Sequence, residues 1–133
     1  MALYQPIVPA RYALPLLDYL RERQPDCVGQ ILSAAGLDEG LFQTSDAALT
    51  MAEFDALLCS AAQTLGRNDL GYEMALRLSI DSHQLLGLAM RRCRTGDELL
   101  RLATRFSRLL IPSFSMHYRR TASAGELYVR PAA

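Results

Sequence analysis

Six arginines, Arg91, Arg92, Arg94, Arg101, Arg105 and Arg108, are threaded through the leucine-rich segment MRRCRTGDELLRLATRFSRLL, residues 90–110. The chain contains no lysine, and arginine alone can supply the phosphate contacts of a nucleic-acid binder. Residues 83–93, a turn at Gly96 and residues 97–110 have the outline of a helix-turn-helix, whose second helix would enter a major groove. The charges oppose that reading. A recognition helix presents its first residues to base edges beside phosphates, and here those residues are Asp97 and Glu98. Arg101, Arg105 and Arg108 recur at spacings of four and three, opposite a stripe of Leu99, Leu102, Phe106 and Leu109. This pattern predicts a solvated arginine face, or one meeting a neighbouring protein surface, with Asp97 and Glu98 pairing Arg101 and Arg105 while the leucines build the interior.

The other reactive side chains are scattered. Cys27, Cys59 and Cys93 form no CxxC pair, and their sparse, odd number reads as buried thiols in a reducing cytosol. His83 and His117 are isolated, and no HExxH, GxSxG or glycine-rich phosphate loop occurs. No nucleophile, base and orienting group fall into a recognisable set, so the sequence reads as that of a non-enzyme, without metal or cofactor.

The elements that must position these groups are mostly helical. At 133 residues, half of them apolar, the expectation is one domain over 1–133 with a single core. The formal charge is zero but uneven: residues 1–66 carry three arginines against eight acids, and residues 67–133 eleven against six. The first dozen residues, with Pro6 and Pro9, read as an extended arm. Leu14, Leu17 and Leu20 mark a helix closed near Pro25, and Asp26 is placed to cap a second helix bearing Val28, Ile31, Leu32 and Ala35, stopped at Gly36. A helical turn around 37–42 and a polar loop, TSDAA, follow.

Thr50 and Glu53 make a T-x-x-E capping box for a helix carrying Phe54, Leu57, Leu58, Ala61, Ala62 and Leu65, ending at Gly66. Asn68 or Asp69 starts another through Leu70, Met74 and Leu78, its apolar face widened by Tyr72, Ala75 and Leu76. A further helix begins at Ser82 with Leu85, Leu88 and Ala89. Thr95 and Glu98 make a second capping box for the last helix, whose stripe extends to Ala103 and Leu110 before Pro112 ends it. After Pro112 the period becomes two: Phe114, Met116 and Tyr118 alternate with Ser115, His117 and Arg119, then TASAG turns the chain toward Leu127 and Val129. The predicted fold is therefore mainly α, a bundle of about six helices followed by a C-terminal β-hairpin, which must lie on helices or pair with other strands to be stable.

No apolar run approaches the ~18 residues of a membrane span, and the N-terminus lacks a basic n-region, so a soluble, cytoplasmic protein is expected.

The run DLGYEMALRLSIDSHQLLGLAMRRCRTGDELLRLATRFSRLL followed by a hairpin, together with GLDEGLFQTSDAALTMAEFDALLCSAAQTLG, resembles the N-terminal effector domain of one branch of the AraC/XylS-family bacterial transcriptional regulators, the arabinose-binding-like domain. The likeness runs from about Asp26 to Arg130. Its most telling pieces are Gly36-Leu37, the Thr50 helix, Leu70-Gly71, Leu86-Gly87 and the T-x-x-E-L-L of Thr95 to Leu100. Arg91, Arg92 and Arg94 depart from it, standing where relatives tend to carry small or neutral residues.

The resemblance implies a domain that senses a small-molecule effector, or mediates self-association as a homodimer, while a separate C-terminal pair of helix-turn-helix units, absent from these residues, binds DNA. It also implies an effector domain that continues beyond the hairpin, so that ELYVRPAA falls within it. The effector's identity stays open. An effector pocket would be concave and largely apolar with a few oriented polar groups. On the family and the hairpin's alternation, it is expected between Phe114, Met116 and Tyr118 and the helices bearing Tyr72 and His83, although each side chain could equally serve as core or ordinary surface.

Overall fold

The structure, a computed structural model, describes residues 7–131, the side chain of Leu110 excepted. The chain divides into two compact units, residues 1–78 and 79–133.

The first unit holds four helices, α1 (Leu14–Arg23), α2 (Val28–Ala34), α3 (Met51–Leu65) and α4 (Leu70–Arg77). Its leucine spacing does what periodicity predicts. Leu16, Leu17 and Leu20 of α1, Ile31 and Leu32 of α2 and Leu57 of α3 are almost wholly enclosed, and Leu70 and Met74 of α4 join the same core. Burying each such side chain contributes about 1.5–3 kcal/mol.

The capping box at α3 is complete. Glu53 N donates to Thr50 Oγ1 at 3.1 Å and Thr50 N to Glu53 Oε2 at 2.8 Å. Gly66 ends the helix at φ 64°, a left-handed conformation that suits glycine. Asp26 does not act as the expected cap, while Asp69 starts α4 as the sequence predicts. Asp26 lies in a 3-10 turn, Pro25–Cys27, ahead of an α2 with no side-chain cap, and Asp69 stands at the start of α4 but directs its carboxylate to Arg67 at 2.7 and 2.6 Å.

The expected arm is more than an arm. The portion through Pro6 lies outside the described residues, but Ile7–Pro9 forms a strand, β1, antiparallel to β2 (Ala48–Thr50), with Val8 opposite Leu49. Ala10 N donates to Ala47 O at 2.8 Å, and Ala10, Tyr12 and Ala13 are buried. Part of the expected polar loop TSDAA is thus the entry to a strand whose Leu49 sits in the core.

Ion pairs tie α1 to α4 in this unit. Arg77 grips Glu22 through two hydrogen bonds of 2.9 and 2.7 Å. Arg67 bonds Asp69, Glu73 and the hydroxyl of buried Tyr19. These carboxylates hold Arg67 well above the ordinary arginine range, and Arg67 lowers Asp69.

The second unit runs through a 3-10 turn (Ile80–His83), α5 (Gln84–Met90), α6 (Gly96–Leu110) and a hairpin of β3 (Phe114–Arg120) with β4 (Gly125–Pro131). The architecture is therefore mainly α with a C-terminal hairpin, as the residue periods predict. The helical path into α5 begins slightly before Ser82, as a 3-10 turn rather than α-helix. Gly87 is buried there because its Cα lies against the Ile80 carbonyl, where a Cβ would fall 1.9 Å from the oxygen. Beside it Gln84 holds φ 52°, the one positive φ outside glycine among the described residues.

No large apolar side chain of this second unit is fully buried among the described residues; its buried positions are Gly87, Ser107 and Ser113. The leucine stripe on α6 does not build an interior as expected. Leu99 and Leu102 are half-buried, Phe106 is exposed and Leu109 is 80% exposed. Leu85 and Leu88 of α5 are exposed too, as are Tyr72, Ala75 and Leu76, which were expected to widen the apolar face of α4. Amphipathic spacing tells which side of a helix would suit burial; it does not supply the surface that covers it.

Candidate functional site

The α6 helix packs against β3, with Ser107 buried and Leu100, Ala103 and Thr104 half-buried, while Arg101, Arg105 and Arg108 stay exposed. A cleft of about 450 Å³ lies there, lined by Arg101, Thr104, Arg105 and Arg108 from α6 and by Ser115, Met116, His117 and Tyr118 from β3. Residues 101, 104, 105 and 108 follow helical spacing along one side, so a single helix face supplies one wall. The arginine face is solvated and Asp97 pairs Arg101, as the spacing predicts. The guanidinium side chains are exposed, but they rim a concavity within the unit.

One end of that wall is fixed by Asp97. Arg101 Nε donates to Asp97 Oδ2 at 2.9 Å, and the Tyr118 hydroxyl donates to Asp97 Oδ1 at 3.0 Å. Arg120 Nη1 stands 3.8 Å from the same carboxylate. Arg101 also lies over the Tyr118 ring, 5.5 Å from its centroid, where its charge meets the negative face of the π system. The hydrogen bond from Arg101 and then that from Tyr118 hold the Asp97 carboxyl below its ordinary range. Partial burial, followed by the Asp97 carboxylate, pushes the Tyr118 phenol up. Gly125 on β4 lies under this ring: a Cβ there would fall 2.7 Å from the Tyr118 hydroxyl and 2.9 Å from its ring, so a side chain at 125 would displace the tyrosine.

Arg105 and Arg108 differ from Arg101. Among the described residues neither has a carboxylate partner; Arg105 makes a ring contact with neighbouring Phe106, 5.4 Å from its centroid. The expected Glu98 to Arg105 pairing is replaced. Glu98 N still donates to Thr95 Oγ1 at 3.1 Å, but Glu98 Oε2 accepts from Arg94 N at 2.8 Å, one residue before the N-cap amide expected in a capping box. Thr104 Oγ1 bonds back to Leu100 O at 2.8 Å, and Ser107, buried behind it, donates to Thr104 O at 3.1 Å.

Of the residues anticipated from the sequence, Met116 and Tyr118 line this cleft. Phe114 opens β3 on the same strand face, half-buried, opposite Pro131. His83 ends the 3-10 turn ahead of α5 and is half-buried. Tyr72 belongs to α4 of the first unit and is 78% exposed. Sequence reasoning missed Arg101, Thr104, Arg105 and Arg108 as lining residues, having given that helix face to solvent. Nothing in the residue types of that face distinguishes a cleft wall from an ordinary solvated surface.

The thiols also sit differently from expectation. Cys59 is exposed, and Cys27 and Cys93 are half-buried beside Gln24 and the Ala89 carbonyl. Among the described residues no three His, Cys, Asp or Glu side chains gather into a metal-binding group. No helix of the described residues is long and apolar enough to cross a membrane.

The cleft is open and presents guanidinium groups, hydroxyls, an imidazole and the apolar Met116. Residues 28–132 match the family described as the arabinose-binding domain of AraC transcription regulator, N-terminal, and the chain belongs to that family. It is accordingly a regulatory, ligand-sensing type of domain from non-enzymatic transcription regulators. No curated protein matches the chain.

Proposed function

We propose that this chain senses a small-molecule effector for an AraC-type regulator, and that effector binding controls the DNA-binding activity of a C-terminal helix-turn-helix domain. The match of residues 28–132 to the family carries the reading. The cleft between α6 and β3 supports the reading: Met116 offers an adaptable apolar contact, and Tyr118, Thr104 and Ser115 offer hydrogen-bonding groups. Phe114, on the same strand face, extends the apolar side. Residues 1–133 act as the sensing part, working in the cytoplasm with DNA reached only through the partner domain.

A thermal-shift screen of metabolites on this chain tests the reading, because a ligand selective for the folded state raises its melting temperature by mass action. A hit whose shift disappears in Met116→Ala and Tyr118→Phe supports the cleft. Hits that ignore both substitutions place the effector elsewhere.

A second reading, a homodimerising module, is favoured by one observation: Leu85 and Leu109 are 82% and 80% solvent-exposed, as large apolar side chains seldom are without a partner. Light scattering coupled to size exclusion tests it. A dimer that becomes a monomer in Leu109→Arg supports the reading; a monomer at every concentration removes it.

A further inference from the structure

We propose that the ligand of the α6 and β3 cleft is an organic anion, its oxyanion head group held by Arg105 and Arg108 and its apolar body lying along Met116. This rests on the reading of the cleft as the effector site. The argument begins with charge. The lining contains three arginines, Arg101, Arg105 and Arg108, and no carboxylate. Asp97, just outside it, neutralises Arg101 through the 2.9 Å hydrogen bond. Arg105 and Arg108 are left, among the described residues, with no acid.

Their position gives this weight. Arg21, Arg67, Arg77, Arg91, Arg101 and Arg119 each reach a carboxylate of their own unit, and of the arginines that reach none among the described residues, Arg105 and Arg108 are the two that line this cleft. Two guanidinium groups one helical turn apart, side by side on a concave wall and uncompensated, repel one another, and a bound anion relieves that repulsion. Guanidinium forks fit the paired oxygens of a carboxylate or the oxygens of a phosphate. Thr104 and Ser115 stand in the same lining as further hydrogen-bonding groups.

The fixed end of the cleft argues for a small molecule. Asp97, Arg101 and Tyr118 form a braced group that closes one end with its own charges satisfied. A volume of about 450 Å³ falls in the range of small-ligand clefts. A polyanion such as DNA would bring its phosphates toward Asp97 and Glu98 as well, which is unfavourable. Met116, apolar and adaptable, suits a carbon skeleton behind the head group rather than a bare inorganic ion.

The test uses the whole chain and four probes: benzoate, hexanoate, their neutral amides, and inorganic phosphate, at matched ionic strength. Binding is followed by NMR at the methyl groups of Met116 and Thr104, with melting temperature alongside. Expected are shifts of both methyl groups by the carboxylates, with little response to the amides. Affinity should fall by about tenfold or more in Arg105→Gln and Arg108→Gln, the loss of a charge-assisted hydrogen bond, and should weaken as salt rises. Both arginines are exposed, so the variants should fold; unchanged melting of the free proteins checks this, and Arg108→Lys should retain part of the affinity by keeping the charge.

Amides that bind as well as the acids, with no effect of the glutamine variants, would overturn the anion assignment while leaving the cleft as the effector site. Phosphate binding as tightly as the carboxylates would overturn the organic body. Methyl groups that respond to none of the probes, while a neutral metabolite stabilises the protein from another surface, would overturn both this inference and the cleft reading.

Discussion

The two units of the chain use amphipathic helices in opposite ways. In residues 1–78 the apolar faces of α1 to α4 close on one another, and Leu16, Leu17, Leu20, Ile31, Leu32, Leu49 and Leu57 are almost completely enclosed. In residues 79–133 the arginines of α6 rim a cleft with β3 while staying exposed, and Leu109 is 80% exposed. The lesson concerns division of labour. Enclosed leucines make the first unit a stable body, whereas exposed arginines beside a hairpin rim an open, charged cleft. Regions with few buried apolar contacts open at lower free-energy cost, and binding elements are drawn from them.

Substitution of core leucines should separate the units most widely. Leu57→Ala should destabilise the protein by about 2–5 kcal/mol through lost burial and a residual cavity. Leu109→Ala should change stability by no more than about 0.5 kcal/mol, as for other exposed positions. Urea titration followed by circular dichroism reads both, and equal losses would break the comparison.

Gly87→Ala should have the next largest effect, about 1–3 kcal/mol, because the added methyl would collide with the Ile80 carbonyl, a backbone atom that cannot swing aside. If the units are independent in stability, that loss appears as faster amide exchange in α5 and the preceding turn, with α1 to α3 unaffected. A uniform loss would merge the two units into one cooperative body.

The N-caps sharpen the contrast further. Thr50→Ala removes half of a complete capping box and should cost about 1 kcal/mol, felt across the whole first unit. Thr95→Ala removes a similar bond, but Glu98 keeps its hold on Arg94 N, so its cost should be smaller and confined to the start of α6. Exchange of the Glu53 and Glu98 amides distinguishes these outcomes.

Acid should produce the smallest effect, read at Asp97 in the second unit and at Asp69, whose carboxyl Arg67 lowers, in the first. The folded-state pKa of Asp97 lies below its ordinary value of 3.8, so the stability it contributes is fully present above that value and is lost as pH falls through the lowered folded value. Protonation there releases Arg101 and Tyr118. Near-ultraviolet absorbance of Tyr118 should therefore change below about pH 4 in the wild type and not in Asp97→Asn. The same transition in both would remove Asp97 as the brace.

Much of the first unit was legible in the sequence because its signals are local. Leucine spacing, Thr50 with Glu53, and the glycines at 36 and 66 each act within a few residues. Strands β1 and β2 were not, since three residues show no period and Leu49 draws its burial from segments far away in the chain. In the second unit the hairpin was legible from the alternation after Pro112, and Met116 and Tyr118 with it. The cleft was not, because the arginine spacing of α6 fixes which residues share a side but not what faces them. What the spacing does not carry is the contact across to β3, where Asp97, Arg101 and Tyr118 meet from segments about twenty residues apart.

Native-state hydrogen exchange, residue by residue, tests this division most directly. The free chain should show its slowest amides in α1, α2 and α3 and markedly faster ones in α5, α6 and the hairpin, and a cleft ligand should slow exchange chiefly in α6 and β3. Equal protection across both units, or ligand protection confined to residues 1–78, would contradict the account.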